Sequence, residues 1–391
     1  MRAAVEIDSP RPPDAAYVHV PFCRRRCGYC NFTLIADRDD LVEAYLAALE
    51  RELQSLETPR PVSTLFLGGG TPSHLAPTQL ERLLAIVRKW FPLRAGYEFS
   101  LEANPHDVDD ARLDVLCAGG VGRLSVGGQS FDAAKLRLLE RDHAPDDVCR
   151  AVERARSRGL TTSLDLIFGA PGETSAAWHR DLDAALALRP EHLSLYGLTF
   201  ERGTTFWSRL RRGELQPPGE EVERQLYLAA IERLTAAGYE HYEVSNFALP
   251  GYQCRHNSVY WQAREYYAAG PGASRYVGGV RETNHRSTTT WLARVNAGRS
   301  PVADSERLPP EDRAREALVL GLRRRAGIDC RAFAAEFGYD VDSLESRELR
   351  RLIETGLLER TATSEDAGDH LRLTPEGLLL ADYVWSRFLR R

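Results

Sequence analysis

Residues 17–32 read YVHVPFCRRRCGYCNF. The apolar run at its start has the look of a buried β-strand. The second half sets Cys23, Cys27 and Cys30 at C-x3-C-x2-C spacing. Structural zinc takes four ligands, and disulfides take thiols in pairs. An iron–sulfur cubane is normally held by four thiolates, so three leave one iron with an open position for a small molecule. Phe32 stands where a fourth thiol would complete the loop. A zinc knuckle completed by a distant Cys254 or His256 is the alternative that spacing leaves open. Arg24, Arg25 and Arg26 between the thiols are expected to lower the thiol pKa values and offset cluster charge.

Outward from this loop the chain repeats one unit. Strand candidates AYVHVP, STLFLGG, YEFSLEAN, GRLSVGG, TSLDLIFG and HLSLYGLT alternate with amphipathic stretches at 41–56, 78–90, 108–117, 146–157 and 174–188. Six βα units in a row predict a parallel sheet with right-handed crossovers, either a barrel or a doubly wound sheet. Polar or unusual residues stand at or near the end of every strand: the cysteine loop, GGGTPS at 68–73, Glu102 before ANP, Gln129 in GGQSF, Asp165 before FGAPGET, and Tyr196. Barrel sites are assembled from the carboxyl ends of several strands, whereas a doubly wound sheet concentrates its site at one switch point. The expected fold is therefore α/β, a partial (β/α)6 TIM-like barrel. The expected plan is a disordered lead-in (1–14), the barrel (15–245), a connecting segment (246–308) and a C-terminal winged-helix-like α+β unit (309–391). Across the junction of barrel and connecting segment, the aromatic stretch from residue 238 to 261 reads as a strand leading into a loop.

Bulk composition narrows the class. The 391 residues carry 51 Lys plus Arg against 56 Asp plus Glu, a net charge of −5, which gives no global case for nucleic-acid binding. No apolar run is long enough for a membrane helix, and the lead-in has no apolar signal core. Seven cysteines, an odd and clustered number, suit metal or redox chemistry in a reducing cytoplasm. Cytoplasmic location is the expectation, with transient membrane contact left open. Cys117, Cys149 and Cys330 read as ordinary, partly buried cysteines.

The cysteine spacing after a first barrel strand resembles the radical S-adenosylmethionine (SAM) enzymes. YVHVPFC, LGGGTPS, LEANP, GGQSF, LDLIFGAPGET, SLYGLTFERGT, YEVSNFALPG, CRHNSVYW and LTPEGLLLADYV follow in order over nearly the whole chain. Together they resemble the branch containing oxygen-independent coproporphyrinogen III dehydrogenase and the HemW-type haem chaperones. Two details are similar to the chaperone side: Phe32 in place of a fourth cysteine, and HNSVYW at 256–261. The sequence departs from the pattern at Gly128, where relatives usually carry a larger aliphatic, at Ser274, where many carry His, and at Asn31, where Asp is usual.

The resemblance implies a [4Fe-4S] cluster on Cys23, Cys27 and Cys30. It implies SAM at the open iron, contacted by Gly69, Gly70, Thr71, Glu102, Gln129, Arg141 and Asp165, with Tyr17 and Tyr29 beside the cluster. One electron from the reduced cluster would cleave the sulfonium C–S bond; the protein supplies orientation and excludes water. It also implies haem at HNSVYW, with His256 as axial ligand, Cys254 as rival, and Asn257, Tyr260 and Trp261 around the porphyrin. Read without the family, His256 is a buried histidine with Tyr and Trp in the core. The expected function is a haem chaperone that receives electrons from a donor and passes haem to an acceptor apoprotein, without nucleic acid. The alternative is decarboxylation of coproporphyrinogen III in porphyrin biosynthesis. Whether SAM is turned over, and hence whether the chain is an enzyme, is left open by the residues.

Overall fold

The computed structural model describes residues 12–362 and 369–389. Part of the expected lead-in, residues 1–11, lies outside them. The six expected strands form: β1 (Ala15–Val20), β4 (Val62–Gly69), β5 (Leu93–Ala103), β6 (Arg123–Gln129), β7 (Thr161–Phe168) and β8 (His192–Gly197). They pair in parallel in chain order. Between β1 and β4, β2 (Phe22–Cys23) pairs in parallel with β3 (Ile35–Ala36) and closes the stem of the cysteine loop. The crossover helices are α1 (Val42–Gln54), α2 (Pro77–Trp90), α3 (Asp110–Ala118), α5 (Pro145–Ser157) and α6 (Ser175–Leu188). A short α4 (Ala133–Leu138) is inserted after β6.

The helices form where the apolar spacing places them. On α1, Val42, Tyr45, Leu46, Leu49 and Leu53 are buried, a stripe of period near 3.6 that packs on the sheet. The strands carry Val18, Leu65, Leu67, Leu101, Leu124, Leu164 and Leu193, none of them exposed, into the same core. Both faces of such a sheet are covered, which is why its strands read as apolar runs.

The connecting segment differs from its expected reading. It does not merely link two units. After α7 (Thr205–Arg211) and α8 (Glu220–Ala236), β9 (Glu240–Glu243) and β10 (Asn246–Ala248) extend the sheet beyond β8, with β10 antiparallel to it. β11 (Tyr267–Ala269) pairs in parallel with β1 at the other edge. The resulting nine-stranded order is β11-β1-β4-β5-β6-β7-β8-β10-β9. The stretch RHNSVYW is helical, α9 (Arg255–Trp261), rather than a loop after a strand. β12 (Ser274–Val277), β13 (Val280–Asn284) and β14 (Val302–Glu306) make a small antiparallel sheet, and α10 (Thr288–Asn296) packs on α1.

The C-terminal unit has its own core around Leu318, Leu322, Leu349, Leu352, Leu371 and Phe388. α11 (Pro310–Gly321), β15 (Ile328–Asp329), α12 (Cys330–Phe337) and α13 (Val341–Glu354) precede a hairpin of β16 (Leu358–Ala362) and β17 (Asp369–Leu373), then α14 (Pro375–Leu379) and α15 (Ala381–Ser386). Helices followed by a hairpin in a three-stranded antiparallel sheet are the winged-helix-like pattern expected from GLLERT…HLRLTPEG.

Candidate functional site

The ends of the strands open into one cavity of about 960 Å³. It is lined by Cys23, Cys27, Tyr29 and Cys30 from the first loop, Gly69, Gly70 and Thr71 after β4, Glu102 on β5, Gln129 on β6, Arg141, and Asp165 on β7. Residues 142 positions apart in sequence thus face one space because a partial barrel aims every strand's carboxyl end inward.

The first loop is built from its stem. The Gly70 N–H donates to the Val20 carbonyl at 2.8 Å, and the Thr71 N–H to Phe22 at 2.8 Å. A Cβ on Gly70 would stand 2.7 Å from the Phe22 carbonyl oxygen, so only glycine lets the two backbones meet. Arg286 holds the far side, donating to the Asn31 carbonyl at 2.7 Å and to Thr33 Oγ1 at 3.1 Å. His19 contributes from below: its Nε2 lies 2.6 Å from the Thr33 carbonyl and its Nδ1 3.0 Å from the Tyr17 hydroxyl.

Inside the loop, Cys23 Sγ lies 3.2 Å from Thr71 Oγ1. Burial pushes the Cys23 thiol up to about 12, against smaller opposing effects of Thr71 and Arg141. Such a thiol ionises when a metal takes its proton's place. Of the neighbouring arginines, Arg26 acts as the sequence suggested, lowering the Cys30 thiol against the larger upward push of burial. Arg24 pairs with Asp107 at 3.5 Å, and Arg26 donates to the carbonyls of Cys30 and Leu34. The cation in direct contact with a sulfur is Arg141, 3.5 Å from Cys27 Sγ and anchored by the Gly127 carbonyl at 2.9 Å.

Two of the carboxyls that line the cavity, Glu102 and Asp165, have raised pKa values. Glu102 Oε2 accepts from the Gly69 N–H at 2.8 Å, and burial, with a smaller push from Asp165, raises its pKa to about 7. Asp165 accepts from Ser125 Oγ at 3.2 Å and is raised to about 6, again mainly by burial. A cationic ligand would favour their ionised forms. Gln129 has a positive φ of 64°, an uncommon conformation for this residue type.

The other residues of the expected site lie elsewhere. Tyr17, Asn257, Tyr260 and His256 line a second chamber of about 200 Å³ within the barrel, toward the amino ends of the strands, which shares Glu102, Ser125, Asp165 and Tyr196 with the main cavity. Tyr17 spends its hydroxyl on His19 rather than facing the cluster loop's cavity. α9 is seated there by Glu98, whose carboxylate accepts from the N–H groups of Arg255 and His256 at 3.0 and 2.9 Å, satisfying the open start of the helix. His256 is 1% exposed. Its Nδ1 lies 3.0 Å from Thr64 Oγ1 and its Nε2 2.8 Å from the Tyr260 hydroxyl. With both ring nitrogens occupied and Phe66 stacked at 5.3 Å, this imidazole is not presented to a haem iron; the buried-histidine reading fits the geometry. Cys254 Sγ is 3.6 Å from Glu98, also at this end, so neither residue offers a zinc knuckle its fourth ligand.

The departures are also accounted for. Leu164 and Val148 fill the space over Gly128, where a Cβ would lie 2.7 and 3.0 Å from them. Ser274 bonds Thr283 across β12 and β13 at 2.6 Å, outside both cavities' walls. Asn31 lines the main cavity. Sequence reasoning missed Asn104, which accepts from Arg141 at 3.3 Å, although ANP was noticed. It also missed Arg323, Leu380, Tyr383 and Trp385 of the C-terminal unit, which line the same cavity and have no local motif chemistry to betray them.

Comparison with known proteins follows this geometry. The radical SAM superfamily model matches residues 17–185, and the HemN C-terminal domain model matches residues 308–380. The heme chaperone HemW of Bacillus subtilis is 36% identical over 96% of this chain and 99% of its own. The chain belongs to the HemW family of radical SAM proteins. Heme chaperone HemW of Mycobacterium tuberculosis is 37% identical, covering 96% of this chain and 94% of that one. The mitochondrial radical S-adenosyl methionine domain-containing protein 1 of Danio rerio is 35% identical over 99% and 89%. Among solved structures, the coproporphyrinogen III oxidase HemN of Escherichia coli, a radical SAM enzyme, superimposes with a TM-score of 0.83 at 25% identity, over 97% of this chain and 90% of that one. The family's fold thus agrees with the parallel sheet described above. No helix among the described residues is long and apolar enough to cross a membrane.

Proposed function

We propose that this protein is a haem chaperone that holds a [4Fe-4S] cluster, SAM and haem and delivers the haem to an acceptor apoprotein. The observation that carries the reading is the convergence of three thiols, without a fourth, on a cavity whose wall holds the raised carboxyls of Glu102 and Asp165 and the Arg141 guanidinium. Cys23, Cys27 and Cys30 would hold the cluster, which, when bound and reduced by an electron donor, supplies one-electron chemistry at the sulfonium of SAM. Arg141 offsets the charge of the thiolates and suits the SAM carboxylate. Glu102 and Asp165 suit its ammonium and ribose hydroxyls, Gly69 to Thr71 offer backbone groups, and Gln129 and Tyr29 complete the wall. The domain plan carried by this reading is a barrel over 15–245, a segment 246–308 that completes it, and a C-terminal unit from 309.

A second reading, oxidative decarboxylation of coproporphyrinogen III, is favoured by the likeness to HemN over 97% of the chain. Phe32, 66% exposed in the place of a fourth cysteine, argues for the chaperone. Iron analysis of anaerobically purified protein tests the shared foundation. Alanine at Cys23, Cys27 or Cys30 should strip most of the iron, and alanine at Cys330 should not. Zinc instead of iron, or equal loss in the Cys330 variant, would remove the cluster from the account.

A further inference from the structure

The outer lip of the cavity is formed by α14 and α15. Leu380 is 51% exposed and Tyr383 37% exposed there, and Phe32 and Tyr196 line the same cavity with 66% and 45% exposure. Large apolar side chains gathered around one opening mark a surface that waits for an apolar partner. The Tyr383 hydroxyl accepts a 2.7 Å hydrogen bond from Arg351 Nη2, and the Arg387 guanidinium lies 4.3 Å over the Tyr383 ring. Both arginines hold the phenol below its ordinary pKa range, the Arg351 hydrogen bond most of all. Arg387 forms no ion pair with a carboxylate among the described residues, and its Nε has no partner there. Deeper along the wall, Arg323 is stacked between Trp261 at 4.2 Å and Trp385 at 4.8 Å. Its Nε and both indole N–H groups are buried without a hydrogen-bond partner, and its Nη2 lies 3.9 Å from the buried Glu243 carboxylate.

These pieces have one chemistry in common. A tyrosine oxygen is an axial ligand for haem iron, and an arginine donating to that oxygen stabilises the phenolate over the phenol. An arginine without a carboxylate partner, as Arg387 is among the described residues, suits a carboxylate, and haem carries two propionates on a flat apolar ring. His256 has neither an open nitrogen nor this apolar opening.

Resting on the haem-chaperone reading, we propose that the haem cargo binds at this lip. The Tyr383 oxygen is the axial ligand of ferric iron, Leu380 and Phe32 meet the macrocycle, and Arg387 meets a propionate. Binding exchanges the phenolic proton, released to solvent, for an Fe–O bond; the iron remains ferric and no electron moves. Trp261 then joins the HNSVYW helix to the haem site through Arg323, without a histidine ligand.

The test is titration of ferric haem into the full chain and its Tyr383→Phe, Arg387→Gln and His256→Gln variants, read by absorption and resonance Raman spectra. Wild type should bind about one haem per chain with the vibrational signature of an iron-bound phenolate. Tyr383→Phe should lose that signature and bind about tenfold more weakly while keeping its far-UV circular dichroism. Arg387→Gln should narrow the preference for haem over its dimethyl ester, and His256→Gln should keep the phenolate signature. Wild type that binds haem with a histidine-type spectrum, or Tyr383→Phe with an unchanged spectrum, overturns the Tyr383 site alone. Wild type that binds no haem overturns the chaperone reading and this site with it.

Discussion

Glu102 and Asp165 share one wall, and their raised pKa values give opposite pH trends for ligand binding and for stability. The ammonium and sulfonium of SAM favour ionised carboxyls, so binding expels protons and affinity should rise from about pH 6 to 8. Calorimetry in buffers of different ionisation heat checks this, and Glu102→Gln should flatten the trend. Losing either contact, by Glu102→Gln or Asp165→Asn, should weaken SAM by ~1–3 kcal/mol with iron content unchanged. Equal SAM affinity in both variants would put the nucleotide elsewhere. For the ligand-free chain, folded pKa values above those of the unfolded chain mean a contribution complete below about pH 4 and lost as pH rises through 6 and 7. Its melting temperature should therefore fall between pH 5 and 8, less so in a Glu102→Gln, Asp165→Asn double variant. At this scale the sequence was legible wherever a polar residue ended a strand. It was not legible for Tyr17 and His256, because residue type cannot say which ends of the strands a side chain serves.

Among elements, the cysteine loop and α9 show how motif blocks hold one another. Arg286, from the turn before α10, grips Asn31 and Thr33 at the loop's far side. Arg286→Ala should leave the fold intact and speed iron loss to a chelator several-fold; an unchanged rate would make the grip incidental. His256→Ala removes a buried ring bonded to Thr64 and Tyr260. It should destabilise the chain by about 2–4 kcal/mol, the lost hydrogen bonds and the cavity adding together, as chemical denaturation would measure. The six parallel strands and five crossover helices were legible because each carries its own apolar period, as α1 does through Tyr45, Leu49 and Leu53. α9 was not: RHNSVYW has aromatic and β-branched residues of modest helix propensity, and it is helical because Glu98, 157 residues from Arg255, caps it.

On the scale of the whole molecule, the C-terminal unit does more than pack on the barrel. Its core continues onto Tyr227, Ile231 and Val244 of the barrel side, and its last helices roof the cavity that the thiols floor. A winged-helix-like outline in the sequence gave no sign of this, since the contacts depend on how two units dock. The short strands β10 and β11 were hidden for a similar reason: each is three residues long and acquires its role only from its neighbours. The roofed cavity places cluster loop and lip within one enclosure. The most direct measurement is an anaerobic assay in which one reduced, SAM-loaded preparation is given haem and coproporphyrinogen III side by side. The account predicts about one haem bound per chain, transferable to a haem-free acceptor, and no decarboxylated porphyrinogen. Multiple-turnover decarboxylation without stoichiometric haem binding would contradict it.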